Sequence, residues 1–517
     1  MSKNIVKSTG IILIVNLLVK LLGFVRESVI AGGYGASLLT DLYLVAYTIP
    51  YFFQAILGTA LVAVVVPVIT RYLAEDNMKD ASYISSLTIN ITSLLLLVIT
   101  VLGMLTAPLL VKMTAPGLSA ESIALASKLA LIMFPLVFFM GLASTITGVL
   151  NSCYRFVAGA WAPGVSNIVI ILTVLLFGSF GIEMLAVGTL ISFVFSVVLV
   201  TIAYKRTDFK YSFVFDFKHP VIKRMMKDVL PIALGVAVTQ VYFFFNRIFA
   251  SYLPAEGSIS ALNFANKLMN LPVGIFVAAV AAVIYPALAE AASKKDSLLL
   301  PRTVNKGLSM IGLVAIPASV GLIILRVPLV QLLFERGAFD HDATVMTAYA
   351  LLFFSVGVLP VAFNMVLTRA FYALSDVKTP VIIGAVSVAA NILLSLIFMQ
   401  WLSHGGLALA NSAAAFINSI LLYIYLLRRM SDSGSGRLLF SLAKMLAASL
   451  SMGAAVYFCA GWLAQSFGLL IQTAVSVIVG CLVYFGAAWL LKIEEIRSVP
   501  SAISKIFSKR LTKTQQK

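Results

Sequence analysis

Apolar runs of about 20 residues recur from one end of the chain to the other, each long enough to cross a hydrocarbon core of roughly 30 Å as a helix. Cutting at polar and Gly/Pro breaks yields about 14 candidate spans. Their limits are 9–31, 40–70, 83–111, 124–150, 160–180, 183–204, 228–251, 259–289, 305–335, 344–372, 379–402, 406–428, 438–464 and 467–491. The pattern predicts an all-α polytopic integral membrane protein. The first run carries Lys20 and Arg26 inside it behind only two lysines, unlike a cleavable signal peptide, and reads as a retained first span.

The pattern repeats. Sliding the chain on itself by about 220 residues aligns ALVAVVVPVITRYLAE with VAAVAAVIYPALAEAA, and prolines coincide: Pro67 with Pro286, Pro50 with Pro272, Pro163 with Pro380, while Pro135 falls near Pro360. Arg26 meets Arg247. Each copy holds six candidate spans, an even number, so both copies enter the membrane from the same side. The expected organisation is an N-terminal lobe at 1–204, a linker at 205–227, a C-terminal lobe at 228–429, two further helices within 430–491 and a basic tail at 492–517. Two pseudo-repeated six-helix lobes around a central cleft are the usual architecture of alternating-access transporters.

Composition agrees. Of 517 residues 61% are hydrophobic and 11% charged, and the mean hydropathy is +1.04, far from a soluble globular chain. The formal charge of +17 could suggest nucleic acid, but the basic residues lie between apolar spans and not on one folded, water-exposed face. They sort by side instead. With the N-terminus cytoplasmic, the outer loops hold about three, Lys112, Lys128 and Arg336, and the inner connections hold most of the others, as the positive-inside rule requires. Both termini are therefore expected in the cytoplasm. The longest inner connection, KRTDFKYSFVFDFKHPVIKRMMKD, reads equally as a surface segment drawn to anionic headgroups or as a solvated linker. Cys153, Cys459 and Cys481 show no ligand or disulfide spacing, so no metal is expected.

A charge at bilayer depth costs at least about 2.5 to 3.5 kcal/mol, so retained ones should face a cavity or a partner. Lys20, Arg26, Glu27 and Asp41 lie on the first two spans, and Arg247 and Lys267 on the seventh and eighth. Lys20, Arg26, Arg247 and Lys267 together would suit a phosphate or diphosphate. Lys20 and Arg26 point about 120° apart on one helix, and Glu27 could neutralise one of them through side-chain reach. Asn263, Asn266 and Asn270 share the face of Lys267 or lie beside it, placed to hydrogen-bond a sugar headgroup or to join helices.

Five blocks carry a resemblance: LLGFVRESVIAGGYGA followed by TDLYLVAYTIP, MTAPGLSAESIALASKLALIMFP, GVLNSCYRFVAGAWAPGVSNI, LFERGAF and FYALSDVKTPVII. The chain resembles the MurJ/MviN family of lipid II flippases over nearly its whole length. That resemblance implies 14 helices, a basic central cavity, and rocker-switch transfer of an undecaprenyl-diphosphate-linked disaccharide-pentapeptide from the inner to the outer leaflet of the bacterial cytoplasmic membrane. Family transport positions match Arg26 and Asp41 by identity and Lys20 by a conservative change. The chain departs at Gln54, Thr59, Asn266, Lys267 and Asn270, where many members carry charges or a different cation. Cavity cations and partner acids are thus lost together, with Arg247 available as a replacement cation.

The expected function is a lipid II flippase. Alternatives are a flippase for another polyprenyl-diphosphate-linked glycan and a multidrug or cation antiporter, though no deep carboxylate in spans seven, eleven or twelve marks an ion site. A glycosyltransferase reading would rest on Asp340, His341 and Asp342, of which Asp340 or Asp342 reads better as a helix cap. No enzyme activity and no cofactor are expected, and no Walker motif is present. Energy could come from the membrane potential or an ion. The expected partners are the lipid-linked anionic precursor, membrane lipids and cell-wall synthesis proteins, with the chain a monomer.

Overall fold

The computed structural model describes residues 2–294, 299–429 and 434–496. The expected basic tail lies outside the described residues from 497 onward. Among the described residues seventeen α-helices follow one another. The first eight are α1 (Ser2–Tyr34), α2 (Leu38–Ala74), α3 (Met78–Thr114), α4 (Ala120–Met133), α5 (Leu136–Ser152), α6 (Phe156–Phe177), α7 (Ile182–Lys205) and α8 (Pro220–Ser251). Then come α9 (Ser258–Pro272), α10 (Ala278–Ser293), α11 (Leu299–Ile324), α12 (Arg326–Phe334), α13 (His341–Val356), α14 (Val358–Ala373), α15 (Lys378–Leu427), α16 (Ser435–Leu463) and α17 (Leu469–Leu490).

Among the described residues nine helical segments are long and apolar enough to span a membrane, or up to eleven when two bent pairs are each taken as one span. Neither α1 nor the run 259–289 is among those segments, and further differences from about 14 runs arise where the chain kinks. The runs 379–402 and 406–428 are merged in α15 across Ser403, whose backbone is non-helical (φ 50°, ψ −132°). There His404 Nε2 meets the Met346 carbonyl at 2.9 Å. α13 and α14 meet at a 43° bend around Gly357. The repeat-matched prolines also behave differently: α2 runs unbroken through Pro50 and Pro67, whereas Pro272 is followed by a π-helical turn, Val273–Val277, before α10 resumes. A proline removes one i−4 donor, and a π turn is a common way to absorb the mismatch.

The chain divides into two compact units. The first comprises residues 1–261 together with 334–343, the second 262–333 and 344–517.

In the first unit, polar caps start the helices: Ser37 accepts the Thr40 N–H, Asn77 that of Asp80 and Ser119 that of Ser122. Val65, Ile69, Ile84, Leu87, Val149 and Val200 form one core. Small and hydroxyl side chains knit the helices, as expected where lipid offers no hydrophobic drive between them. Ser166 meets Ser192 at 2.6 Å, Ser196 donates to the Ala162 carbonyl at 2.9 Å, and Tyr43 meets Thr189 at 2.9 Å. Long apolar side chains such as Leu105 and Leu109 stay exposed, on a surface suited to acyl chains.

In the second unit, Leu313, Ile316, Met445, Met452 and Val456 pack with Tyr484, whose hydroxyl donates to the Leu313 carbonyl at 2.8 Å. Outside the spans, Asp376 accepts the Thr379 hydroxyl (2.6 Å) and N–H (3.0 Å) and pairs with Arg429 at 2.6 Å. The Thr379 hydrogen bonds and Arg429 push its carboxyl down from 3.8 to about 2. A depressed carboxylate gives its full stabilisation above the ordinary value and loses it as pH falls through the native one. The α14–α15 connection should therefore loosen between about pH 4 and about pH 2. Hydrogen exchange over 374–380 as a function of pH reads this step, which Asp376→Asn should remove.

Candidate functional site

Five of the expected site residues fall in the first unit. Arg26, near the end of α1, donates to its neighbour Glu27 at 2.5 Å. The two side chains are 23% and 7% exposed, so this is an ion pair largely removed from water. Glu27 thus neutralises Arg26, the cation that lies next to it.

Asp41, on the first turn of α2 and 4% exposed, accepts the Ser260 N–H at 2.7 Å and the Ile259 N–H at 3.4 Å. These amides belong to the first turn of α9, where no intrahelical acceptor exists. A carboxylate from another helix thus caps α9, aided by the positive end of its dipole. Arg247, near the end of α8, donates to Thr48 Oγ1 at 3.2 Å and to the Ile259 carbonyl at 3.3 Å. It also lies within electrostatic reach of Asp41 and Glu27. Arg26, Glu27, Asp41 and Arg247 therefore make a charge-balanced set of two cations and two anions, not a bare basic patch.

Tyr43, Tyr47 and Tyr51 stack along one face of α2 at centroid separations of 6.1 and 5.7 Å. Their spacing of four is legible in DLYLVAYTIPY, whereas nothing in the sequence marks Thr48. Gln54 is half-buried and lies about 20 Å along α2 from Asp41, so it does not join the charged set.

A strap completes the unit. Residues 334–343 lie on the end of α1: the Ala338 N–H donates to the Gly32 carbonyl at 2.9 Å, and Arg336 donates to Ser28 Oγ at 2.7 Å. Gly35 (φ 69°) and Gly337 (φ 57°) occupy left-handed backbone, and a Cβ on either would collide with backbone across the contact. Asp340 Oδ1 accepts the Ala343 N–H at 2.8 Å, the capping role expected for it.

The other three expected residues lie on α9 in the second unit. Asn270 donates to the Asn266 carbonyl and side-chain oxygen, both at 2.9 Å, so these amides bond to each other one turn apart. Lys267 is exposed beside them. Among the described residues no group of three or more His, Cys, Asp or Glu could hold a metal ion.

A sequence model of the family described as lipid II flippase MurJ matches residues 30–478. The chain belongs to that family. A Rickettsia prowazekii relative named probable lipid II flippase MurJ is 30% identical over 424 residues, covering 81% of this chain and 83% of the relative. A Vibrio cholerae relative of the same name is 30% identical over 440 residues, covering 82% and 83%. A solved lipid II flippase MurJ in an inward closed conformation is 26% identical with a TM-score of 0.78, covering 92% of this chain and 97% of that one. An inward-facing multidrug resistance MATE transporter of the MOP superfamily shares the fold at 16% identity, TM-score 0.67, covering 81% and 100%. The MurJ family thus consists of transporters, and this chain is a multi-pass protein of the bacterial inner membrane.

Proposed function

We propose that this chain flips lipid II, the undecaprenyl-diphosphate-linked peptidoglycan precursor, from the inner to the outer leaflet by alternating access. Membership of the MurJ family across residues 30–478 carries the reading. The chemistry of the first unit supports it. A guanidinium that a carboxylate already holds at 2.5 Å can exchange that partner for a diphosphate oxygen without a bare cation waiting in the membrane. Arg26 is the residue proposed to meet the diphosphate; Lys20, Asp41, Gln54, Arg247, Asn266, Lys267 and Asn270 complete the proposed substrate path. The reading includes cytoplasmic termini, a monomer working alongside cell-wall synthesis proteins, and drive from the membrane potential, worth about 2.3 kcal/mol per elementary charge per 100 mV.

The second reading, a flippase for a different polyprenyl-diphosphate glycan, is favoured by Gln54, Asn266 and Asn270 standing where many family members carry charge. Expression in cells depleted of their own lipid II flippase separates the two. Growth and cell shape should be rescued; failure with normal membrane insertion would favour the other cargo.

A further inference from the structure

The connection from α7 to α8 is neither helical nor loose. Over residues 209–216 the chain is non-helical, turns tightly where the Val214 N–H donates to the Ser212 carbonyl at 3.1 Å, and is bound to one face of α3 through Ser82, Ser86 and Asn90, which are spaced four apart. The Lys210 N–H donates to Ser82 Oγ at 3.3 Å, and Ser86 Oγ donates to the Lys210 carbonyl at 3.4 Å while accepting the Ser212 N–H at 3.1 Å. Asn90 Nδ2 donates to the carbonyls of Ser212 (3.1 Å) and Val214 (2.9 Å), and its Oδ1 accepts the Tyr211 hydroxyl at 2.6 Å. Ser86 and Asn90 lie inside the apolar run 83–111. Non-helical backbone at membrane depth persists only where the protein itself satisfies its polar groups, which is what this ladder does.

Exposure alternates residue by residue from 211 to 217. Val214 packs on the core. Phe213, Phe215 and Phe217 turn outward, Phe213 being 79% exposed, with successive ring centroids 5.1 and 6.4 Å apart, while Tyr211 hands its hydroxyl back to Asn90. Between 205 and 228 stand seven basic residues against three acidic ones, and Lys205, Arg206, Lys210 and Lys218 are exposed at the two ends of the aromatic row. Because the segment joins two membrane helices, its ends are tied to the membrane surface.

We propose that this segment is an interfacial anchor: Phe213, Phe215 and Phe217 enter the acyl region of the adjoining leaflet, and Lys205, Arg206, Lys210 and Lys218 bind anionic headgroups of that leaflet. The anchor is independent of the cargo and would hold for any flipped lipid. The test uses the full-length chain carrying p-benzoylphenylalanine at 213, 215 or, as the inward control, 212, in phosphatidylcholine vesicles containing phosphatidylglycerol. Irradiation and mass spectrometry should find lipid adducts at 213 and 215 but not at 212. Phosphatidylglycerol should be enriched about fivefold over its mole fraction, equivalent to roughly 1 kcal/mol. The variant K205Q/R206Q/K210Q/K218Q should lose that enrichment and keep the acyl adducts. Absence of lipid adducts at 213 and 215, while the same label at exposed Leu105 reacts with lipid, overturns the anchor. Adducts at the bare mole fraction overturn its headgroup selectivity.

Discussion

Arg26→Ala should abolish lipid II transfer in proteoliposomes, and the informative comparison is the double variant Arg26→Ala/Glu27→Gln. The single change leaves Glu27, 7% exposed, without the guanidinium that holds it at 2.5 Å. Removing one partner of a buried pair costs about 3 to 5 kcal/mol, so the single variant can lose accumulation as well as activity. The double variant removes both charges and should accumulate normally in the membrane, yet stay inactive, because no fork remains for the diphosphate. Arg26→Lys should fall between, since an ammonium keeps the charge but gives up bidentate geometry. Recovery of transfer in the double variant would show that Arg26 serves only to neutralise its neighbour.

The second large effect is expected at Asp41. Asp41→Ala deletes the acceptor of two first-turn amides of α9 and the carboxylate facing Arg247. The short bond from Ser260 to this carboxylate is worth about 1.5 to 3 kcal/mol and the longer one from Ile259 little, so transfer should slow between about tenfold and a hundredfold. Asp41→Asn retains an oxygen acceptor and should lose less. A double-mutant cycle of Asp41→Asn with Arg247→Gln should return a coupling above about 0.5 kcal/mol, as for residues of one network. Strict additivity would mean that the two residues act separately, although both bind the start of α9.

What could be read ahead of the structure follows from the range of each interaction. The helices were legible because lipid demands long apolar runs, and even the α15 kink is marked by SHGG at 403–406. Arg26 and Glu27 are adjacent, so their pairing was foreseeable. Asp41 and Ser260 are not: 219 positions separate them, and no spacing rule links a carboxylate on one helix to bare amides at the start of another. The linker shows a third case. Its Tyr211–Phe213–Phe215–Phe217 alternation has a period of two, but Ser86 and Asn90, which give that segment its backbone partners, lie more than a hundred residues earlier.

The strap has a consequence for biosynthesis. The first compact unit needs residues 334–343, which emerge from the ribosome only after α9 to α12 have been made. Its early helices must therefore wait in the bilayer with the end of α1 uncovered, at Ser28 and Gly32, until the chain has lengthened by more than seventy residues beyond 261. Maturation of this half is a late, post-insertion event and not the domain-by-domain order usual in large proteins.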